Sequence, residues 1–484
     1  MADVIYKWKR FWCPRTSTIN LSDGGYLCDP ESEWGRASNP DVLSFGAIVH
    51  IRCLGLLGEP GIGKTHAMRA EREAIDAGIE REGGQALWLD LRSYGSEGRL
   101  LRDLFGAPEF IAWRNGNHHL HVFLDSLDEC LMQIKTVGAL LVDEFRKQPI
   151  DRLSIRIACR TFNWPTVLEE GLGHLLGIEA VQVYELAPLR RVDVEGAVRA
   201  NNLNPEKFLQ EVDNKEAVPL AIKPVTLDFL LKTYQRTGGF PTNRKDLYLE
   251  GCRLLCGETN PNRIDAGFIG SLSAEQCMSV ASRIAALTIF SNRSAVWMGV
   301  DRTQANAENL AVDELCGGKE KTQENEFQVD DAAIKETLAT GLFSSRGVNR
   351  VGWVHQTYAE FLAARYVLDH QMSRSQIESL IVHPGDPDGK LVPQLHEVTA
   401  WLVDMMPSLF QEVMKREPET LLQSDVATAD VRVRATLVQT LLELYETERL
   451  SDRDLHIGSQ YGKLAHPTLG DQLRPYILDG TKGT

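Results

Sequence analysis

The sequence predicts an α/β domain built on a parallel sheet and followed by helical units, and three observations predict it. Between about residues 48 and 186, short apolar segments alternate with longer helix-forming stretches. A glycine-rich octapeptide, residues 58–65, joins the first apolar segment to a helix-forming stretch. After Pro188 the strand-like runs give way to helical periodicity. Strands buried on both faces and separated by helices are the pattern of β-α-β units with right-handed crossovers.

Taken in order, residues 1–47 are aromatic and basic at first, then rich in Gly, Asp, Ser and Pro, and are expected to form an irregular arm that docks elsewhere. The α/β domain is expected over 48–190, with strands near 48–57, 86–91, 120–125, 154–159 and 181–186. A helical domain follows over 191–262, with breaks such as GGFPTN at 238–243. Residues 263–370 hold an apolar helical run at 280–290, a polar loop near 317–326 and a further run at 334–343. A short alternating piece at 350–355 then leads into a helix from Gln356, an order that suits a small helical domain with a β-wing. Residues 371–484 show Leu/Val faces at 395–409, 431–445 and 464–478 with Asp and Pro at the turns, the grammar of an α-solenoid. Only two or three such units fit, so this region is expected either to be a short array docked on its neighbour or, the favoured reading, to be the start of a longer sensor.

Composition narrows the classes. The 484 residues are 43% hydrophobic and 25% charged, too apolar for a disordered chain. With 52 basic and 67 acidic side chains the net charge is -15, which argues against direct nucleic-acid binding. The nine cysteines lack paired C-x-x-C spacing and are expected to be reduced packing thiols of a cytoplasmic protein. No apolar run is long enough to span a membrane.

The chemistry is carried by the octapeptide Gly58, Glu59, Pro60, Gly61, Ile62, Gly63, Lys64 and Thr65, which matches G-x-x-x-x-G-K-[ST]. Its glycines let backbone N–H groups curl around phosphates, and the next helix adds its N-terminal partial charge. Lys64 is placed to reach the β- and γ-phosphates, Thr65 to ligate Mg²⁺, and His66, in the first helical turn, is counted with the loop as a nucleotide-binding candidate. A second apolar run ends in Asp125, followed by Ser126, Leu127, Asp128 and Glu129. A strand ending in Asp delivers a carboxylate to the sheet edge where phosphates sit, so Asp125 is the second Mg²⁺ candidate. Either Asp128 or Glu129 could orient or deprotonate an attacking water. One strand later Arg160 stands at the equivalent edge, either sensing the γ-phosphate or paired with a carboxylate. His118, His119 and His121 alternate across a strand entry and are expected to be structural.

GEPGIGKT, FLDSLDE, ACRT and YELAPL together resemble the NACHT clade of STAND signal-transduction NTPases. AIKPVTL at 221–227 is similar to the family's helical domain, in which a Pro packs near the adenine; Pro224 is the match and Pro219 the alternative. WVHQTYAEFLAA at 353–364 is similar to the family's winged-helix signature, and the resemblance gives His355 a contact with the ADP β-phosphate. The stretches 416–425 and 466–477 look like HEAT-like helices. Ser126 departs from the Gly common after the aspartate, and no recognisable effector domain precedes the site. The implied fold is an α/β P-loop NTPase domain (parallel sheet, ASCE type) followed by a helical domain, a winged-helix domain and an α-helical HEAT-like C-terminal region. The implied activity is a nucleotide-controlled switch of innate immune or antiphage type. It binds ADP or ATP-Mg²⁺, hydrolyses slowly, self-associates when active, and answers to a protein trigger and effector that the sequence does not identify. The competing reading is an AAA+-like mechanochemical ATPase acting on nucleic acid or protein. A third is a scaffold that binds nucleotide only structurally.

Overall fold

A computed structural model describes residue 6 and residues 8–478, apart from 83, 131, 258–270, 300, 302, 304, 324, 348, 426–429, 448 and 451–460. The expected boundary at 262–263 lies outside the described residues.

The first half is a seven-stranded sheet. Its strands are β1 (Phe11–Pro14), β2 (Leu43–Ser44), β3 (Cys53–Leu57), β4 (Gln85–Asp90), β5 (Leu120–Asp125), β6 (Leu153–Cys159) and β7 (Val181–Leu186), in spatial order β2-β1-β7-β3-β6-β5-β4. The five strands β3 to β7 are mutually parallel. Helices Lys64–Glu82, Ile134–Phe145 and Thr166–Leu176 are among the crossovers that cover the faces. Because both faces are covered, β3 and β6 are buried along their whole length, which is why they are near-continuous apolar runs. Along β3, Cys53 and Leu57 join the core of one face while Leu54 and Leu56 join that of the other.

Two expectations change here. The sheet is mixed, because residues 1–47 are not simply an irregular arm: β1 pairs antiparallel with β7 and with β2. Phe11, Trp12 and Cys13 are all buried, so this short strand is held by tertiary packing that its length could not signal. The first strand also starts later than 48, because Phe45–Ile48 is a helical turn.

The second half is mainly helical. Helices Arg191–Ala200, Pro205–Asn214, Pro224–Thr237 and Arg244–Cys256 precede a small sheet. That sheet comprises β8 (Ala295–Trp297), β9 (Asn309–Ala311), β12 (Phe343–Ser345) and β13 (Arg350–Trp353), in order β12-β13-β8-β9. The polar stretch at 317–326 is not a plain loop, since Lys319–Lys321 (β10) pairs with Glu326–Gln328 (β11) as a hairpin. Helices Ala274–Phe290 and Gln356–Asp369 pack on each other, and His396–Met405 packs on the latter. One apolar core takes in Tyr26 of the N-terminal segment and residues from Leu189 to Leu464, so the helical units, small sheet and C-terminal helices share a single interior. Seven of the nine thiols are buried, and burial pushes Cys53 up to about 12, in keeping with packing rather than reactive cysteines. Among the described residues no helix is long and apolar enough to cross a membrane.

A buried ion cluster ties this interior together. Arg244 Nε donates to Asp404 Oδ2 at 2.9 Å, and its guanidinium also pairs with Glu216. Its backbone N–H donates to Asp425 Oδ2 at 2.8 Å, and the guanidinium lies 3.8 Å from the Trp401 ring centroid. Burial works against this charge, but Glu216, Asp404 and Asp425 outweigh it and raise the Arg244 pKa. Removing one member of such a cluster strands the rest in a dry interior. Arg244→Ala should therefore lose about 3–5 kcal/mol of unfolding free energy by urea titration, and a loss under about 1 kcal/mol would show the cluster to be solvated.

Candidate nucleotide site

The phosphate loop leaves the carboxyl end of β3 and enters helix Lys64–Glu82. Gly61 (φ 75°) and Gly63 (φ 94°) adopt left-handed backbone that side chains disfavour. Space is a second reason for glycine there. A Cβ on Gly61 would come 2.4 Å from Val225 Cγ1, and one on Gly63 would meet Arg10 Nη1 at 3.1 Å. Beneath the loop, Arg10 donates to the carbonyls of Ile62 at 2.9 Å and Ala187 at 2.7 Å. Burial lowers the Arg10 pKa to about 10, partly offset by Asp193, so the brace stays charged at neutral pH. Glu59 and Ile62 are buried, while Pro60, Lys64 and Thr65 are half-buried and His66 is exposed.

Lys64 Nζ donates to the carbonyls of Gly58 and, at 3.1 Å, Glu59, inside the curl of the loop. Burial lowers its pKa and nearby Asp128 opposes that shift. Thr65 Oγ1 donates to Asp125 Oδ1 at 3.4 Å. The second carboxylate oxygen of Asp125 is buried with no hydrogen-bond partner among the described residues. Burial raises the Asp125 pKa, countered by the Thr65 hydrogen bond, with neighbouring Asp90 raising it further. A buried carboxylate with an unmatched oxygen beside a hydroxyl is a hard-oxygen donor set that fits Mg²⁺, which takes few protein ligands and completes its shell with phosphate and water.

After Asp125 the chain turns sharply. Ser126 sits at φ 60°, the left-handed conformation in which the expected Gly would be unstrained. The turn brings Asp128 and Glu129 to the end of β6. Asp128 Oδ1 accepts the Arg160 N–H at 2.9 Å, Asp128 Oδ2 lies 3.0 Å from Arg160 Nε, and Glu129 Oε1 lies 3.3 Å from Arg160 Nη2. The structure thus brings Asp128, Glu129 and Arg160 together, with Arg160 in the carboxylate-paired arrangement.

The later elements close over the loop. Pro224 opens helix Pro224–Thr237, and its Cγ lies 3.6 Å from where a Gly63 Cβ would sit. Pro219 instead lies in the core, its carbonyl accepting the Tyr358 hydroxyl at 2.7 Å. Of the two candidates Pro224 is therefore the one against the loop. His355 caps helix Gln356–Asp369, its Nδ1 accepting the Thr357 N–H at 3.2 Å. That assignment leaves the ring proton on Nε2, free to donate. Burial and the charge of Lys223 hold His355 down at about 4, so it is neutral at pH 7. His118, His119 and His121 serve packing: His118 bonds Gln85 at 3.0 Å, His119 bonds Ser154 at 2.8 Å, and the His119 and His121 rings lie against each other.

Three neighbours were not singled out from the sequence. Arg10 was hidden in an arm without periodicity. Lys223, a charge inside the apolar AIKPV run, donates to the Gly341 carbonyl at 2.6 Å, and burial lowers it to about 8, with Glu59 opposing and Lys64 assisting. Glu185, paired in register with Leu57, is raised to about 8 by burial and by Glu59.

A phosphate loop on β3, an aspartate closing β5, and β6 lying between those two strands with a basic residue at its end define an α/β P-loop NTPase fold. No protein-family model matches the sequence, and no curated protein matches it. Solved structures similar to this chain include the Walker-type ATPase PABY2304 of Pyrococcus abyssi, at 13% identity and TM-score 0.35, covering 72% of this chain and 99% of that one. The Aeropyrum pernix ORC2 protein, solved as ADPNP-ADP complexes, is 11% identical with TM-score 0.32 over 69% of this chain and 91% of its own. Cdc6p of Pyrobaculum aerophilum is 13% identical with TM-score 0.29, covering 74% and 97%. At such distances the functional reading rests on the site itself.

Two outcomes follow from this geometry. Gly61→Ala adds a methyl against Val225 in a backbone conformation unfavourable to alanine, and should lower both the thermal midpoint and nucleotide affinity. His355, with an ordinary pKa near 6.5 when unfolded, stabilises fully above that value and loses its contribution as pH falls toward about 4. The loss is roughly 3 kcal/mol. His121, also held at about 4 by burial, acts with the same sign. Urea midpoints between pH 7 and 4 should fall less steeply for His355→Asn than for the wild type, and identical slopes would contradict the assignment.

Proposed function

We propose that this chain is a nucleotide-controlled switch of the NACHT/STAND kind, binding ADP or ATP-Mg²⁺ and hydrolysing ATP slowly. One observation carries the reading: the phosphate loop is packed upon by segments from well beyond its own sheet. Val225 and Pro224 lie on its glycines, Lys223 shares the electrostatic field of Glu59 and Lys64, and a Cβ on Gly341 would stand 3.4 Å from the Pro60 carbonyl. An occupant of the loop therefore touches, or is felt by, every unit of the chain up to the small sheet. A ligand shifts a conformational balance only through its differential affinity for the two states, and contacts from other units of the chain are the means of having one.

In this reading the loop N–H groups and Lys64 hold the phosphates, Thr65 and Asp125 hold Mg²⁺, and the metal supplies charge neutralisation for the transferred phosphoryl group. Arg160 exchanges a carboxylate for a phosphate oxygen, which frees Asp128 or Glu129 to orient the attacking water and accept its proton. His355 donates Nε2–H to a phosphate of the resting nucleotide and links the small-sheet unit, here assigned as a winged helix, to the site. Helices beyond 371 act as a HEAT-like sensor region for a protein trigger. The opened form self-associates and engages an effector, in an innate immune or antiphage setting within the cytoplasm.

The test is nucleotide binding by calorimetry with and without Mg²⁺. Lys64→Ala removes charge-assisted contacts to phosphate and should weaken ATP and ADP by roughly 10–100-fold. Asp125→Asn should abolish the Mg²⁺ dependence. His355→Ala should speed ADP release and favour assembly in light scattering. Unaltered binding in Lys64→Ala would refute the nucleotide-switch reading.

A further inference from the structure

Beside the loop lies a cavity of about 550 Å³, within the range of small-molecule sites. It is not the phosphate cradle: of the loop only Glu59 and Pro60 line it, and Gly61 to Thr65 do not. One wall comes from the α/β domain through Phe162 and Trp164, the other from the small sheet through Met298, Phe343 and Arg350. The Thr161–Asn163 turn packs against β12, so the cavity spans a seam between two parts of the fold.

Its lining has a definite chemistry. Trp164 Nε1 donates to Glu169 Oε2 at 2.7 Å, which fixes the indole, and Trp164 itself is buried. Arg15 pairs with the same Glu169 at 3.1 Å, and Arg160 is held by Asp128 and Glu129. Arg350 has no carboxylate partner among the described residues. The acidic lining groups are Glu59 of the phosphate loop, the paired Glu169 and the exposed Glu170. Flat apolar walls favour a ring system, and an uncommitted guanidinium favours an anion.

We propose that this cavity is a second ligand site, for a planar aromatic molecule carrying one acidic group that pairs with Arg350. Such a ligand bridges the α/β domain and the small sheet while touching Arg160 and Pro60 at the edge of the nucleotide site. It therefore stabilises the joined arrangement of the two parts, a regulation by small molecule that is separate from the nucleotide. The existence of the site does not depend on the switch reading.

The test uses the full chain and 8-anilinonaphthalene-1-sulfonate, an aromatic monoanion, followed by fluorescence titration. The wild type should bind it saturably at one site per chain, with saturating ADP leaving the probe bound. Arg350→Gln removes the cation and Ser344→Phe fills the cavity, and each should weaken the probe about tenfold or more. Lys64→Ala should leave it unchanged, which separates failure of this proposal from failure of the nucleotide reading. Thermal midpoints check that both variants are folded. The proposal is overturned by absence of saturable binding, by unchanged affinity in folded Arg350→Gln and Ser344→Phe, or by displacement of the probe with ADP.

Discussion

The structure around the site depends on one constraint: the phosphate loop must expose bare backbone on more than one side. Gly61 and Gly63 satisfy the unusual dihedral angles of the curl, and the same lack of side chains lets Val225, Pro224 and Arg10 come into contact with it. A glycine needed for phosphate binding is thus also needed for packing between units. That double demand couples the two events physically, because movement of helix Pro224–Thr237 changes what the loop touches. Arg10 extends the coupling to the sheet edge, since it holds Ile62 and the chain leaving β7 with one guanidinium.

Electrostatics sharpen the same point. Lys64, Lys223, Arg10 and Arg160 gather around the loop with Glu59, Asp125, Asp128, Glu129 and Glu185. Arg160 is neutralised by Asp128 and Glu129, whereas Arg10, Lys64 and Lys223 donate only to backbone carbonyls, which satisfies their hydrogen bonds without cancelling their charge. Among the carboxylates, one oxygen of Asp125 and Oε1 of Glu185 are buried without a hydrogen-bond partner among the described residues. Burial of each is costly unless a cation or proton compensates it.

Much of this is legible in the sequence. The strands β4 to β7 fall within a residue of their expected positions, because strands buried on both faces leave uninterrupted apolar runs. The loop and the aspartate at the end of β5 were legible because phosphate chemistry restricts the residue types. Less visible features fail for identifiable reasons. β1 is four residues long and the hairpin of β10 and β11 is charged and mostly exposed, so neither leaves a periodic apolar signal. Lys223 carries no local signal of its role, because its contact with the Gly341 carbonyl joins positions more than a hundred residues apart.

By itself the sequence determined the α/β core, the phosphate loop and the helical character of the second half, since local backbone demands and apolar periodicity write these into neighbouring residues. Tertiary structure alone decided that the N-terminal segment completes the sheet and braces the loop, that Arg160 is paired with Asp128 and Glu129, and that Pro224 rather than Pro219 lies against Gly63. It also decided that Arg244 gathers carboxylates from Glu216, Asp404 and Asp425. These are contacts between residues tens to hundreds of positions apart, and their partners are chosen by chain topology and desolvation, neither of which is encoded in any local pattern.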